Sequence, residues 1–296
     1  MANIPKREFG KTGLKVTALG FGGGQVGDGK LPEKDAEILL NQVLDIGITL
    51  IDTARGYGLS EERIGKYLKH RRKEFVLSTK VGYGIPNYTD WTYDCIIAGV
   101  DAALARLQTD VIDIIHLHTC TLDVLKKGDV IQALEEVQKK GKAKVISYSG
   151  ENDWLDYAIE THRFQSIQMS VNLCDQRIID GGLVKATRDR LGVIAKRPIA
   201  NAPWRFNERP VGNYAEEYWH RWKTMNLDPH DLPWQELAMR FSAYQPGVHT
   251  CIVGTAKLDH LKENLGYVLK GQLPENIVKE IRDSFKKHDQ NWVGQV

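Results

Sequence analysis

Short apolar runs alternate with longer amphipathic segments from one end of the chain to the other. The runs predict eight strands, at residues 16–21, 50–52, 75–80, 112–117, 145–149, 167–171, 192–196 and 250–254. Apolar residues recur at helical spacing between these runs, as in Ala36, Leu39, Leu40 and Val43. Strands that are each followed by a helix are typical of a parallel (β/α)8 TIM barrel, which is the predicted fold.

A doubly wound open sheet would show the same alternation of strands and helices. In its dinucleotide-binding form, that fold has a G-x-G-x-x-G loop that leads from the first strand directly into a helix. Here Gly22, Gly23 and Gly24 lead into a long polar loop, which makes the open sheet the less favoured alternative. The chain is therefore expected to form one barrel domain over residues 1–296.

Three segments extend the regular repeat. Residues 5–17, centred on Gly10-Lys11-Thr12-Gly13, predict a β-hairpin that plugs the bottom of the barrel. Residues 198–232 form a long insertion, and a connection of that length in a compact domain is usually functional. Residues 274–288 predict an extra C-terminal helix, which is followed by a tail that bears Trp292.

Composition narrows the class of protein. The 40 basic and 38 acidic residues give a net charge of +2, without the basic excess that is usual in dedicated nucleic-acid binders. The four cysteines lie far apart and without metal-binding spacing, so we expect reduced thiols and no metal site. The chain begins without an apolar leader, and no run approaches the ~20 apolar residues of a membrane span. A cytoplasmic protein with no membrane partner is expected.

Four polar side chains of different chemistry follow successive predicted strands. Asp52 and Lys80 end the second and third strands, and His118 comes directly after the fourth. Tyr57 lies in the loop after the second strand. Because neighbouring parallel strands lie under about 5 Å apart and end at the same rim, these four side chains are expected to converge.

This group has the properties of a proton-transfer site centred on Tyr57. A free phenol titrates near pH ~10, and a nearby ammonium such as Lys80 lowers that value. Asp52 would keep Lys80 charged, and His118 would bind a substrate carbonyl oxygen or relay a proton to Tyr57. Such a site protonates the alkoxide that forms when a hydride is added to a carbonyl. No side chain supplies hydride, so a nicotinamide cofactor would be required.

Each of these residues, taken singly, also has a structural interpretation. Asp52 fits a turn cap, Tyr57 a surface loop, and Lys80 a solvated strand end. His116 lies two residues before His118 on the same strand face and competes with it for the site role. The expected placement of all four on one rim favours the chemical interpretation.

The sequence around these residues resembles the aldo-keto reductase family over nearly the whole chain. Residues 7–22 are similar to the opening segment of the family, and residues 47–57 with Ser60-Glu61-Glu62 and Gly65 to its strand-two signature. The resemblance implies an NAD(P)H-dependent reduction of aldehydes or ketones to alcohols. It assigns Asp52, Tyr57, Lys80 and His118 to the catalytic tetrad, with Tyr57 as general acid/base. It selects His118 over His116 through the register of the acidic approach at residues 110–113.

The resemblance also implies where the nicotinamide end of the cofactor binds. Ser149 and Gln168 match residues that hold the carboxamide, whereas Gly150 stands where the family has an asparagine. Lys196 and Arg197 stand where many members stack an aromatic ring on the nicotinamide. An arginine plane can stack in the same way, and either cation can contact the pyrophosphate.

The adenosine end is expected in the loop after the last strand, which resembles the phosphate loop of the family. The residues assigned to this end are Gly254, Thr255, Lys257, His260 and Asn264, and Gly23 and Gly24 after the first strand are further predicted cofactor contacts. His260 stands where many members have an arginine, and a histidine is only partly charged near neutrality. Lys257 can compensate, so NADP(H) is favoured over NAD(H).

The substrate pocket and two alternative functions complete the prediction. Trp91, Cys120 and Trp204 are predicted to line an aromatic-walled cleft for a small, apolar carbonyl compound. One alternative is a nicotinamide-binding regulatory subunit or redox sensor with little turnover. The other is an NAD-linked alcohol or sugar dehydrogenase. The sequence makes no prediction of oligomeric state.

Overall fold

The computed structural model describes residues 4–295. Its strands are β1 (Lys6–Glu8), β2 (Lys15–Thr17), β3 (Leu19–Gly22), β4 (Leu50–Asp52), β5 (Val76–Val81), β6 (Ile112–His118), β7 (Ala143–Ser149), β8 (Ser166–Ser170), β9 (Gly192–Lys196) and β10 (Thr250–Gly254). Its helices are α1 (Glu33–Asp45), α2 (Ser60–Leu68), α3 (Tyr93–Leu107), α4 (Leu122–Lys127), α5 (Asp129–Lys139), α6 (Asn152–Glu160), α7 (Arg177–Asp180), α8 (Gly182–Arg188), α9 (Glu216–Met225), α10 (Trp234–Ala243), α11 (Leu258–Leu269) and α12 (Glu275–His288).

Strands β3 to β10 form a closed parallel barrel in chain order, and β10 pairs with β3 to complete the circle. Helices follow the strands and pack their apolar faces against the outer surface of the barrel. The predicted (β/α)8 TIM barrel is confirmed, and the open-sheet alternative is excluded because the barrel has no free edge.

The barrel interior changes from apolar to polar along the strands. Leu50, Val76, Ile114, Val145 and Ile194 form an apolar layer near the strand starts. Successive side chains of a strand point to opposite faces, so the residue two positions later returns to the interior. That step brings buried polar residues inside, at positions 52, 78, 116 and 147. The polar residues of the barrel interior therefore lie directly above an apolar layer, on the side of the strand ends.

The N-terminal hairpin is confirmed, but one predicted strand is wrong. Residues 16–21 are not continuous: β2 pairs antiparallel with β1, and β3 pairs parallel with β10 and β4. The hydroxyl of Thr17 donates to the carbonyl of Leu19 at 2.7 Å, where the chain turns between the two sheets. The apolar run at residues 16–21 has no glycine, proline or other turn signal at residue 18, so its pattern does not predict the turn. Phe9 of the hairpin joins the apolar layer and plugs the strand starts.

The C-terminal part of the chain builds a second apolar cluster beside the barrel. The insertion at residues 198–232 contains α9, and Tyr218 of that helix packs with Phe241 of α10 and Ile281 of α12. The predicted extra helix at 274–288 is confirmed as α12. No helix within residues 4–295 is both long and apolar enough to cross a membrane.

Candidate active site

A buried ion pair forms the deepest part of the site. The Lys80 Nζ donates to the Asp52 Oδ2 at 2.5 Å and to the carbonyl of Thr53 at 2.8 Å. Both charged side chains are 1% exposed. Strands β4 and β5 pair Asp52 with Ser78, so Lys80 lies two residues further toward the rim. Burial alone would lower the pKa of Lys80, but the Asp52 charge and the neighbouring Tyr57 outweigh it and raise that pKa.

The second oxygen of Asp52 is held by two further side chains. The Ser78 hydroxyl donates to the Asp52 Oδ1 at 2.7 Å, and the Gln168 Nε2 donates to the same oxygen at 3.1 Å. A buried carboxylate needs such partners, because each lone pair left without a donor costs free energy. Sequence reasoning missed Ser78, although its position two residues before Lys80 places it on the same strand face.

Tyr57 lies over this ion pair. Its ring centroid is 5.0 Å from the Lys80 Nζ and 6.0 Å from the centroid of the His118 ring, which is nearly perpendicular to it. The loop that holds Tyr57 packs closely on Gly27, where a Cβ atom would lie 1.6 Å from the Tyr57 carbonyl oxygen. That contact requires glycine at position 27 and fixes the tyrosine backbone.

The structure separates the roles of the two histidines on β6. His116 is fully buried in the barrel, and its Nε2 contacts the Ser78 hydroxyl at 2.9 Å. His118 lies at the rim and lines the cavity beside Tyr57. Its Nδ1 forms a hydrogen bond of 2.9 Å with the hydroxyl of Tyr83. Burial, the Lys80 charge and the Lys196 charge lower the pKa of His118 to about 3, so its imidazole is neutral at neutral pH.

We expect the His118 ring to stay neutral between pH 5 and 8. A pKa of about 3 in the folded state lies below the ~6.5 of a free histidine, so folding is disfavoured progressively as the pH falls from ~6.5 toward 3. The ring-proton chemical shift of His118 in an NMR titration, assigned with His118→Gln, should therefore be flat over pH 5–8. A midpoint between 6 and 7 would contradict this electrostatic environment.

The four predicted catalytic residues meet at one cavity of about 640 Å³, which opens at the carboxyl ends of the barrel strands. Asp52, Tyr57 and His118 line it directly, and Lys80 lies beneath them. Of the predicted cofactor residues, Gly24, Ser149, Gln168, Lys196, Arg197 and Gly254 also line it. Predicted proton-transfer groups and predicted cofactor groups therefore face the same space.

The nicotinamide end of the predicted cofactor site contains a pair of side chains that hydrogen-bond to each other. The Ser149 hydroxyl donates to the Gln168 Oε1 at 3.0 Å. Strand pairing places these residues directly opposite each other on β7 and β8. A serine hydroxyl and a primary amide supply the donors and acceptors that a carboxamide needs.

Lys196 and Arg197 are held by partners that sequence reasoning missed. Lys196 Nζ lies 3.1 Å from the buried carboxylate of Glu151. Burial lowers the pKa of Lys196 and raises that of Glu151, and their mutual attraction opposes both shifts. The Arg197 guanidinium bonds the Ser170 hydroxyl at 3.0 Å and lies 4.9 Å from the ring centroid of Tyr214. An acid two residues after a strand end is the signal that would have found Glu151.

The predicted adenosine end lies where α11 begins. The Thr255 hydroxyl accepts from the Lys257 amide at 3.0 Å and lies 3.4 Å from the His260 Nδ1. The Asn264 Nδ2 donates to the carbonyl of His260 at 2.6 Å. The Asn264 Oδ1 is buried without a partner in the described part of the chain. Asn264 lies inside α11 rather than at its N-terminus, and an unpartnered acceptor oxygen there can accept from a donor such as an amino group.

The two glycines after the first barrel strand that are predicted to contact the cofactor differ in position. Gly24 lines the cavity, and a Cβ atom there would meet nothing within 4 Å. Gly23 lies outside the lining: its amide donates to the Asp52 carbonyl at 2.7 Å, and a Cβ atom would lie 2.7 Å from the Ser60 hydroxyl oxygen. The structure therefore explains Gly23 by backbone packing, and its cofactor contact stays a prediction.

The three predicted substrate residues are outside the described lining of the cavity. Trp91 packs on Gly82, Cys120 is fully buried, and the Trp204 ring stacks on Trp234 at 5.9 Å. Burial raises the pKa of Cys120 to about 12, so its thiol is not a nucleophile at neutral pH. Their contact with substrate stays a prediction, because all three side chains pack against protein.

Polar side chains of the insertion line the cavity mouth instead. Asn201, Arg205 and Asn213 face the same space as Tyr57. The sequence did not single them out, because nothing in a long polar loop distinguishes a lining residue from a solvated one. The mouth is therefore more polar than the aromatic cleft that the tryptophans had suggested.

Comparisons with known proteins agree with this geometry. A family model described as the aldo/keto reductase family matches residues 18–285. The chain is 27% identical to the uncharacterized oxidoreductase YqkF of Bacillus subtilis, over 95% of this chain and 97% of that protein. It is 26% identical to the L-galactose dehydrogenase of Arabidopsis thaliana, over 90% of this chain and 89% of that protein.

A solved structure shows the same architecture. The holo form of the aldo-keto reductase AKR11C1 from Bacillus halodurans is similar with a TM-score of 0.83 at 28% identity, covering 95% of this chain and 96% of that chain. Within residues 4–295, no group of three or more histidine, cysteine or acidic side chains is arranged to hold a metal ion. On its sequence, its barrel and its site, the chain belongs to the aldo/keto reductase family of oxidoreductases.

Proposed function

We propose that this protein is an NADP(H)-dependent reductase of small aldehydes or ketones, with Tyr57 as the general acid/base. The observation that carries the proposal is the Tyr57 phenol lying over the buried Lys80–Asp52 ion pair, at a cavity lined by a neutral His118. A phenol held against a buried ammonium at a cavity is an arrangement suited to proton transfer.

The roles of the residues follow from their surroundings. A bound nicotinamide cofactor supplies the hydride that the side chains lack. Tyr57 donates its proton to the substrate oxygen as negative charge develops there. Lys80 stabilises the phenolate that remains, and Asp52 keeps Lys80 charged and in place. His118, being neutral, donates a hydrogen bond to the same substrate oxygen and fixes its position.

The cofactor is proposed to run from Ser149 in the cavity, past Gly254, to Asn264 on α11, which lies outside the described lining of the cavity. Ser149 and Gln168 would hold the carboxamide, and Lys196 and Arg197 would flank the ring and the pyrophosphate. The unpartnered acceptor of Asn264 would bind the adenine amino group. A second set of positions, at Gly254, Thr255, Lys257 and His260, would hold the adenosine phosphates.

A second candidate runs the same chemistry in the direction of alcohol oxidation. It is favoured by the similarity to a sugar dehydrogenase, the L-galactose dehydrogenase, and by the polar mouth that Asn201, Arg205 and Asn213 provide. Asn201 is half-buried and Arg205 and Asn213 are exposed, so these polar groups can pair with substrate hydroxyls at the cavity mouth. In that case NAD(H) would be the working cofactor, and Tyr57 would accept a proton from the alcohol.

Turnover assays separate the candidates. The purified protein with NADPH is tested against apolar and hydroxylated aldehydes and ketones, and with NADP⁺ or NAD⁺ against alcohols and aldoses. Consumption of NADPH with a carbonyl compound supports the first candidate, and reduction of NAD⁺ by an aldose supports the second. Binding of cofactor without turnover on either panel would contradict both and favour the regulatory alternative.

All four cysteines are free and buried, as is typical of proteins from a reducing compartment. We therefore keep the cytoplasm as the proposed location, with small molecules rather than nucleic acids as partners. The near balance of basic and acidic residues supports the second part of that proposal.

We expect Lys257→Ala to weaken NADPH binding about tenfold while leaving NADH binding unchanged, because one charge-assisted contact to a 2′-phosphate is lost. The seven tryptophans supply the fluorescence signal for titrating both cofactors. Lys286→Ala, at an exposed lysine of α12, is the matched control and should change neither affinity. Equal losses for the two cofactors in the Lys257 variant would contradict a 2′-phosphate contact.

A further inference from the structure

Tyr83 contacts His118 but does not line the cavity. It follows β5 in the chain, three residues after Lys80. Its hydroxyl lies 2.9 Å from the His118 Nδ1, and the two rings stack with centroids 5.5 Å apart and planes 28° from parallel. A histidine whose one nitrogen is bonded on the protein side has only the other nitrogen available for a substrate.

Two neighbours, Trp91 and Gly56, fix the position of the Tyr83 side chain. Trp91 lies against its ring with centroids 5.8 Å apart. A Cβ atom at Gly56 would lie 2.6 Å from the Tyr83 hydroxyl oxygen, so the glycine makes room for that group. The tyrosine is half-buried and lies outside the described lining of the cavity. It therefore acts on His118 rather than on a bound molecule.

The direction of the Tyr83–His118 hydrogen bond decides what His118 can do. A neutral imidazole has one N–H and one acceptor nitrogen, and the bond made at one nitrogen selects the tautomer. A phenol is a good donor and a poor acceptor, because its oxygen lone pair is delocalised into the ring. Burial raises the pKa of Tyr83, so the hydroxyl keeps its proton and can donate it to Nδ1.

We propose that Tyr83 is a positioning residue that holds His118 as the tautomer protonated on Nε2, with that N–H directed to the substrate oxygen next to Tyr57. The proposal deepens the proposed function and rests on it for the identity of the substrate oxygen. The opposite tautomer would leave Nε2 as an acceptor, which repels a carbonyl oxygen instead of binding it.

The tautomer is measured first, without cofactor or substrate. Long-range ¹H–¹⁵N correlation spectra of the wild-type protein distinguish a protonated from an unprotonated ring nitrogen, and His118→Gln assigns the signals. An unprotonated Nδ1 is the expected result. A protonated Nδ1 in the wild-type protein would overturn the proposal, whether or not the protein turns over any substrate.

The variant Tyr83→Phe then tests the consequence. We expect the Nε2-protonated form to lose its dominance and kcat for carbonyl reduction to fall about tenfold, with the KM for NADPH unchanged. Tyr88→Phe, which removes an exposed hydroxyl from the same loop, is the matched control and should leave both constants as they are. Wild-type kcat in Tyr83→Phe would overturn the proposal.

Separate results would contradict the role of Tyr83 and the proposed reductase function. If the wild-type protein shows the expected tautomer but reduces no carbonyl compound, the proposed function fails and the role of Tyr83 toward His118 stands. If it reduces carbonyl compounds but carries a proton on Nδ1, the role of Tyr83 fails and the proposed function stands.

Discussion

Tyr57→Phe should lower kcat for carbonyl reduction about a thousandfold while leaving cofactor affinity unchanged. The substitution removes the only hydroxyl placed over the Lys80 ammonium among the described side chains, and positioned general acids contribute about 10²–10⁴ in rate. The ring stays, so its contacts with the His118 ring and with the loop are kept. Turnover is followed by NADPH absorbance, and binding by tryptophan fluorescence.

The matched control for this prediction is Tyr88→Phe, which removes a phenol hydroxyl from an exposed position. It should keep wild-type turnover. A Tyr57→Phe protein that retained more than about a tenth of the wild-type kcat would exclude Tyr57 as the proton donor. In that event His118 would be the next residue to test, since it lines the same cavity.

Lys80→Met should lower the free energy of unfolding by about 3–5 kcal/mol, the usual cost of breaking a buried ion pair by removing one partner. The variant leaves the Asp52 carboxylate 1% exposed without its cation, and only the Ser78 hydroxyl and Gln168 amide remain to bind it. Urea denaturation followed by far-UV circular dichroism measures the loss.

The double variant Asp52→Asn/Lys80→Met separates the cost of a stranded charge from the cost of lost packing. It should recover much of the stability, because a neutral amide has no charge to desolvate. Lys279→Met at an exposed ion pair of α12 is the matched control and should change stability little. If Lys80→Met were as stable as the wild-type protein, the pair would not be the buried, interacting pair that the distances describe.

The convergence of the predicted tetrad at one rim was predictable because it depends on short-range patterns. Asp52, Lys80 and His118 each end an apolar run, and parallel strands bring their ends to one rim whatever the loops do. The choice of His118 over His116 came from the family resemblance, and the barrel geometry agrees with it. The two lie on one face of β6, and only the one nearer the rim lines the cavity.

The partners of these residues were not predictable in the same way. Ser78 and Gln168 on Asp52, Tyr83 on His118 and Glu151 on Lys196 are contacts between strands or loops. Each depends on which of several polar side chains is close enough to bond once the barrel closes. The surroundings of the predicted substrate residues were also not predictable: Trp204 stacks on Trp234, and its contact with substrate stays a prediction.

What the sequence determined by itself is the order of strands and helices, the barrel they form and the four residues of the predicted tetrad. The strand order and the barrel follow from local periodicity, and the tetrad follows from the polarity of strand ends together with the family resemblance, which selected His118. The tertiary structure alone decided the break between β2 and β3, the neutral state of His118 and the polar residues at the cavity mouth. Each of these depends on burial, charge and hydrogen bonds between segments far apart in the chain, which exist only after the barrel has closed.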